Sequence, residues 1–239
     1  MIGPALLIVV EAGEDLIDDG ALLVLVNAVQ RAMPEVHVVP ARLDVHDPGL
    51  GPAFLRELRE GEPVIAVPLM LSPGARVHDD LERELGGDQS RPTVLTPAIG
   101  SDDAIVELMV RRLQRSGLST GDVVVMAAAG SSDHHAVRES VEVGRRLAHV
   151  LERYVTVGFF TAAVPRLSIA VDTMRRLHPG SRVAVASYLL SPGRFARAMA
   201  EAGGDLVAGP LLVPGHRPPS ALVSVVVERY RAGVAQLAI

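Results

Sequence analysis

With 239 residues, 49% of them hydrophobic, the chain can bury a substantial core in one or two domains. Only 3% is aromatic and Trp is absent, so that core is built mainly from Val, Leu, Ala and Ile. A net charge of −5 argues against a nucleic-acid partner, and the absence of Cys excludes disulfides and thiolate metal sites.

The first apolar run, 5–10, stops at Glu11 and has no basic segment before it. It reads as a core strand rather than a leader or a membrane span, and a soluble, cytoplasmic protein is the expectation. Helical spacing follows over 22–33, ending before Pro34. The pattern then predicts a strand over 36–43, a helix over 52–59, a strand over 64–71, a helix over 79–85, a strand over 93–96 and a helix over 104–115. Gly117–Gly121 is a turn-rich junction. Beyond it the order repeats: strands over 123–128, 156–161, 182–190 and 205–212, helices over 140–154, 167–177, 195–202 and 221–237. Strands alternating with helices predict parallel sheets with helices on both faces.

The landmarks of the two halves correspond. Gly13 pairs with Gly130 and Pro48 with Pro165 at an offset of 117 residues; Ser72-Pro73-Gly74 pairs with Ser191-Pro192-Gly193 at 119, and Pro97 with Pro210 at 113. The expected architecture is α/β: two similar lobes, 1–116 and 121–239, each a parallel four-stranded sheet, related by internal duplication and facing each other across a cleft. Ligands of open α/β sheets bind beyond the carboxyl ends of the strands. That places the strand-to-helix turns Glu11-Ala12-Gly13-Glu14, Asp44-Val45-His46 and Ser72-Pro73-Gly74 at the mouth.

Val67-Pro68-Leu69-Met70-Leu71-Ser72-Pro73-Gly74, with Asp80-Leu81 after it and Asp44 four residues before Pro48, resembles the class II metal chelatases, the sirohydrochlorin cobaltochelatase and ferrochelatase family. The resemblance covers nearly the whole chain. It implies a bilobal α/β fold that inserts a divalent metal (cobalt, iron or nickel) into a tetrapyrrole between the lobes. The family's two motif imidazoles, however, align with Ala12 and Arg76 in the first half and with Ala129 and Phe195 near the matching turns of the second. Neutral imidazole can hold a metal or accept a pyrrolic proton; alanine can do neither. Arg76 is permanently cationic and suits a carboxylate arm of a macrocycle.

The replacement groups are therefore sought nearby. His78 stands two residues past Arg76; in an extended segment both would face one side, and the alternative is a solvated histidine in the first helical turn. Glu11 and Glu14 flank the first turn and, with Asp44 or His46, offer an oxygen-rich site that would suit magnesium, calcium or manganese better than a soft ion; the alternative is an ordinary polar loop. The expected catalytic groups are His78, Glu11 and Asp44, with His78, Glu11 and Glu14 toward metal. Arg76, Gly13, Ser72, Gly74 and His46 are expected to meet the substrate, a tetrapyrrole or other anionic small molecule. Ser131 or Ser132 is read as the cap of the helix after them, and His134-His135 as part of that cap rather than a metal pair. No Gly-rich phosphate motif and no lysine occur, which removes the common nucleotide cradles and Schiff-base chemistry. Both halves lie in one chain, so a monomer would suffice and a homo-oligomer is not excluded.

Overall fold

A computed structural model describes residues 3–12, 19–44, 57–87, 91–193 and 195–237. The first half runs β1 (Ala5–Ala12), α1 (Asp19–Ala32), β2 (Val38–Asp44), β3 (Val64–Pro68), α2 (Gly74–Gly86), β4 (Thr93–Leu95) and α3 (Asp103–Arg115). The second runs β5 (Val123–Ala128), α4 (His134–Leu151), β6 (Val155–Phe159), α5 (Leu167–Leu177), β7 (Val183–Tyr188), α6 (Phe195–Glu201), β8 (Leu206–Val207) and α7 (Ser220–Leu237). The sheets have orders β2-β1-β3-β4 and β6-β5-β7-β8, all parallel, so the expected duplication is present strand for strand. Most of the helix expected over 52–59 lies outside the described residues.

Period-two alternation decides which core each strand residue joins. Leu6, Ile8 and Val10 of β1 and Val124, Met126 and Ala128 of β5 point inward to one cluster shared by both halves. Ala5, Leu7 and Val9 point outward to a cluster closed by Leu81 and Leu85 of α2. Val125 and Ala127 do the same toward α5 and α6. The outer layers are local, whereas the middle is common property.

The last helix of each half crosses over. α7 packs on β3 and β4 of the first sheet, where Gly233 leaves no room for a Cβ beside Ile65, and Tyr230 donates its hydroxyl to the carbonyl of Pro4. α3, from the first half, packs on β7 of the second sheet. Arg229 of α7 reaches Asp102, the N-cap of α3, at 3.2 Å. The two sheets lie on either side of the 117–121 junction, but each is finished by the other half's helix.

Four elements differ from expectation for local reasons. The helix expected over 140–154 runs His134–Leu151, because Asp133 caps it ahead of the expected start. β3 stops at Pro68, which has no N–H to continue the ladder. β8 shortens to two residues before Gly209-Pro210. α2 starts at Gly74 rather than 79, because Gly74, at φ +79°, makes the turn immediately after Pro73.

Candidate functional site

The carboxyl ends of β1, β3, β5 and β7 converge on a hollow of about 130 Å³ between the halves. Its lining includes Glu11, Met70, Ser72, Ser131, Leu190 and Phe195. Glu11 projects from the end of β1, one step beyond the inward-facing Val10, and is the carboxylate among the lining residues. The backbone of β1 at this end is held in register with β2, Glu11 opposite Leu43 and Ala12 opposite Asp44. Opposite lies Gly130, at φ +86°, where a Cβ would stand 2.0 Å from the carbonyl oxygen of Thr161; only glycine permits that turn.

A polar network ties the halves together at the base of this hollow. The Tyr188 hydroxyl, at the end of β7, donates to the carbonyl of Leu71 at 2.7 Å and lies 3.2 Å from the carbonyl of Gly100 and from Ser72 Oγ. Ser140 Oγ of α4 lies 3.2 Å from Ser72 Oγ and 3.0 Å from the Ala136 carbonyl. Burial pushes the Tyr188 hydroxyl above its usual range, so it remains a proton-bearing anchor rather than a base. Gly100 is obligatory here, since a Cβ would lie 1.8 Å from Leu71 O.

The N-terminus of α2 has no cap of its own; its N-cap position is Pro73. It is instead held by carboxylates of α4. Asp133 caps α4 by accepting from His135 N at 2.7 Å, and its other oxygen accepts from Arg76 N at 3.3 Å. These bonds, that from His135 N first, hold its carboxyl below the ordinary aspartate value despite partial burial. Glu139 accepts from Gly74 N; desolvation of its head group and the neighbouring Asp133 charge raise its carboxyl above the ordinary value, although much of the side chain stays exposed. One carboxylate thus serves two helix ends, one from each half.

Residues 10–116 match the CbiX family model. No curated protein sequence matches the chain. Among solved structures, SirB from Bacillus subtilis with Fe3+ superposes with a TM-score of 0.74 at 16% identity, covering 98% of this chain and 96% of that one. CbiX, the terminal enzyme for biosynthesis of siroheme in denitrifying bacteria, gives 0.67 at 18%, covering 95% and 98%. The chain has the two-lobed chelatase fold. DR2241 from Deinococcus radiodurans, a multi-domain protein with structural similarity to chelatases, gives 0.61 at 17% and extends well beyond the shared region: the match covers 95% of this chain and 54% of that one.

Within this fold, the residues singled out from sequence are distributed over several places. Glu11 and Ser72 line the interlobe hollow, and Ser72 is committed to Tyr188 and Ser140. Gly74 begins α2 and packs against Asp133, where a Cβ would approach Oδ2 to 2.5 Å. The expectation that Arg76 and His78 share a side through an extended segment is corrected: both are inside α2, where residues two apart diverge. Arg76 is an exposed side chain 3.8 Å from Asp80, at the helix face rather than on the lining of the hollow. His78 lines a different recess between α2 and α4, its Nε2 3.2 Å from Glu82 Oε1. Glu11 and His78 are therefore not brought to one cavity. Asp44 is the last residue of β2, described by its backbone register alone; Gly13, Glu14 and His46 lie outside the described residues. Among the described residues, no three His, Asp or Glu side chains gather as a metal-holding group.

Sequence reading missed Tyr188, Asp133, Ser140 and Glu139. The cap of α4 is Asp133; Ser131 Oγ accepts from Asp133 N, one step outside the helix. His134 and His135 are the first two residues of α4, inside the helix rather than in its cap, and the His135 ring meets Arg138 Nη2 at 2.9 Å. Tyr188 left one legible trace: it is among three tyrosines in an aromatic-poor chain and stands where the first half has Leu69.

Proposed function

We propose that this chain is a sirohydrochlorin chelatase-like protein of the cytoplasm, handling a tetrapyrrole and a divalent metal (cobalt, iron or nickel) at the hollow between its halves. The observation that carries the reading is Glu11: a carboxylate at the carboxyl end of β1, beside the position where the family resemblance expects an imidazole, facing the cleft of a chelatase fold. Metal insertion requires two pyrrolic protons to leave while the incoming ion is held near the ring. A carboxylate can accept a proton and present an oxygen to the ion in the same place. Ser72, Tyr188 and Ser140 are saturated by one another and by backbone carbonyls, so they shape the floor rather than move protons. Asp44 and Glu14 belong to the adjoining turns in sequence and are proposed as further carboxylates, with Gly13 and His46 beside the macrocycle. Arg76, exposed at the start of α2, is proposed to pair with a carboxylate arm, and His78 to act from the outer recess as a stop for incoming metal.

The test is insertion of cobalt, nickel or iron into sirohydrochlorin, followed by absorbance. Insertion above the spontaneous rate, falling at least about tenfold in Glu11→Gln, supports the proposal; a rate equal to the uncatalysed one ends it. A second reading is favoured by alanine and arginine at both first-half imidazole positions: a family relative that binds a tetrapyrrole or other anion, or runs a different metal-dependent reaction, without insertion. Spectral titration distinguishes it, because saturable binding weakened by Arg76→Ala, with no insertion, is its signature. Among the described residues, no helix is long and apolar enough to cross a membrane.

A further inference from the structure

Away from the interlobe hollow, the C-terminal half of α3 and the N-terminus of α7 enclose a recess of about 720 Å³, a volume typical of small-ligand sites. None of its lining residues lines the cleft. Its walls carry Arg111, Arg112, Arg115 and Arg217, with His216 beside them, against a single carboxylate, Glu107. Glu107 is engaged by Arg111 at 3.3 Å. Arg112 spends one nitrogen on the carbonyl of Leu211 at 3.0 Å, while its buried Nε has no hydrogen-bond partner. Burial and the adjacent charge of Arg115 both disfavour the Arg112 cation, lowering it from its ordinary value. Arg115 and Arg217 make no ion pair among the described residues and are exposed.

The recess also receives the positive end of an 18-residue helix. Ser220 and Ala221 line it, following Pro218 and Pro219, and Leu222 and Val223 donate back to the Pro219 carbonyl. In a chain of net charge −5, this concentration of cations is a local arrangement and not a consequence of bulk composition. Like charges held together around a hollow are relieved by an anion. The planar forks of arginine match the paired oxygens of phosphate and carboxylate.

We propose that this recess is a binding site for a small multivalent oxyanion of the phosphate or carboxylate class, held by Arg112, Arg115, Arg217 and the N-terminus of α7. The proposal goes beyond the chelatase reading and does not depend on it, since no residue is shared with the cleft.

The experiment is isothermal titration of the intact protein at about 150 mM salt, a condition that screens loose surface attraction. One arm uses tripolyphosphate, the other citrate, with wild type, the Arg115→Ala/Arg217→Ala double variant and Glu11→Gln compared in each. Saturable binding at one site, weakened at least tenfold in the double variant and unchanged in Glu11→Gln, is expected. The tighter of the two anions assigns the class, and equal affinities leave the shared oxyanion chemistry in place. The side chains of both replaced arginines are exposed and make no hydrogen bond among the described residues, so the melting temperature of the free double variant should equal that of wild type. Absence of saturable binding in both arms overturns the proposal, as does equal binding by the double variant or loss of binding in Glu11→Gln. Insertion activity is not read in this experiment, so its outcome and that of the chelatase assay remain separable.

Discussion

The same tripeptide, Ser-Pro-Gly, follows the third strand of each half, and the two copies have been put to different use. Both turn through a glycine at positive φ, +79° at Gly74 and +41° at Gly193. After the first comes a 13-residue helix whose N-terminus is held by carboxylates of the other half; after the second comes a seven-residue helix. In the second copy Phe195, at the place of a family imidazole, stacks on Phe160 with ring centroids 4.7 Å apart, and that position is closed by packing. In the first copy the matching position is the exposed Arg76. Three residues before the first turn stands the buried Leu69; three before the second stands Tyr188, whose hydroxyl crosses to the first half. Duplication preserved the turn and its glycine, and around the turn the polar side-chain contacts run from the second half to the first, whereas elsewhere Arg112 of the first half reaches the Leu211 carbonyl of the second. The second half supplies the hook and the caps; the first half supplies carbonyls, amides and an open mouth.

The largest effect is expected where the two copies differ most in the room left for a side chain. Gly100 corresponds by offset to Val213 in the second half, yet a Cβ at Gly100 would lie 1.8 Å from the Leu71 carbonyl oxygen. Gly100→Ala should cost more than about 3 kcal/mol, because backbone rather than a flexible side chain must give way. Val213→Ala, at a half-buried loop position, should cost under about 1 kcal/mol. Chemical denaturation of the two variants measures both; equal losses would mean that the asymmetry is not where the glycine places it.

Tyr188→Phe comes next. It keeps the ring and removes the donor shared by Leu71 O and the Ser72 and Gly100 neighbours, an expected loss of about 1–2 kcal/mol. Leu69→Ala removes buried apolar volume from the matching site and should cost about 2–5 kcal/mol by a different route, a cavity. The two are told apart by Tyr188→Leu, which copies the first half. If this variant is as stable as wild type, the hydroxyl bridge contributes nothing and the halves are joined by packing alone.

The alternation of strands and helices, the duplication and the hollow at the strand ends could be read from Val-rich runs, the Ser-Pro-Gly turns and constant offsets, because these follow from local pattern. The distribution of site residues could not. Arg76 and His78 were placed by assuming four extended residues after Gly74, whereas carboxylates 57 and more residues away nucleate the helix at once. Asp133 was overlooked in favour of Ser131 and Ser132, since all three residue types cap helices and spacing alone does not rank them. The crossing of α3 and α7 left no mark in sequence either: an apolar face does not say which sheet it will meet. What was legible is what a segment decides for itself.

Asp133→Ala sharpens the comparison with a pH readout. It removes the cap of α4 and a bond to α2 together, for an expected loss of about 1–2 kcal/mol near neutrality. Its folded carboxyl is held below the ordinary value, so the stabilisation is fully present above the ordinary aspartate range and is lost as pH falls through the folded value. Thermal melts of variant and wild type should therefore converge on acidification. A gap that persists in acid would show that the side chain acts through packing, not through its charge.

Glu139→Gln tests the other carboxylate on the same helix end and should move the opposite way. Gln keeps an acceptor for the Gly74 amide, and it removes a charge that burial and Asp133 disfavour. A carboxyl raised in the folded state contributes most below the ordinary glutamate value, and that contribution is lost as pH rises through the folded value. At neutral pH the variant should melt at the wild-type temperature or up to about 2 °C above it. In acid, where Glu139 is protonated in both states, the two should coincide. Because Asp133 and Glu139 face one helix terminus from one helix, opposite signs at neutral pH would separate a carboxylate that the first half needs from one that it merely tolerates. Destabilisation by Glu139→Gln would make both carboxylates anchors of α2, and the second half would then hold the first by two charges rather than one.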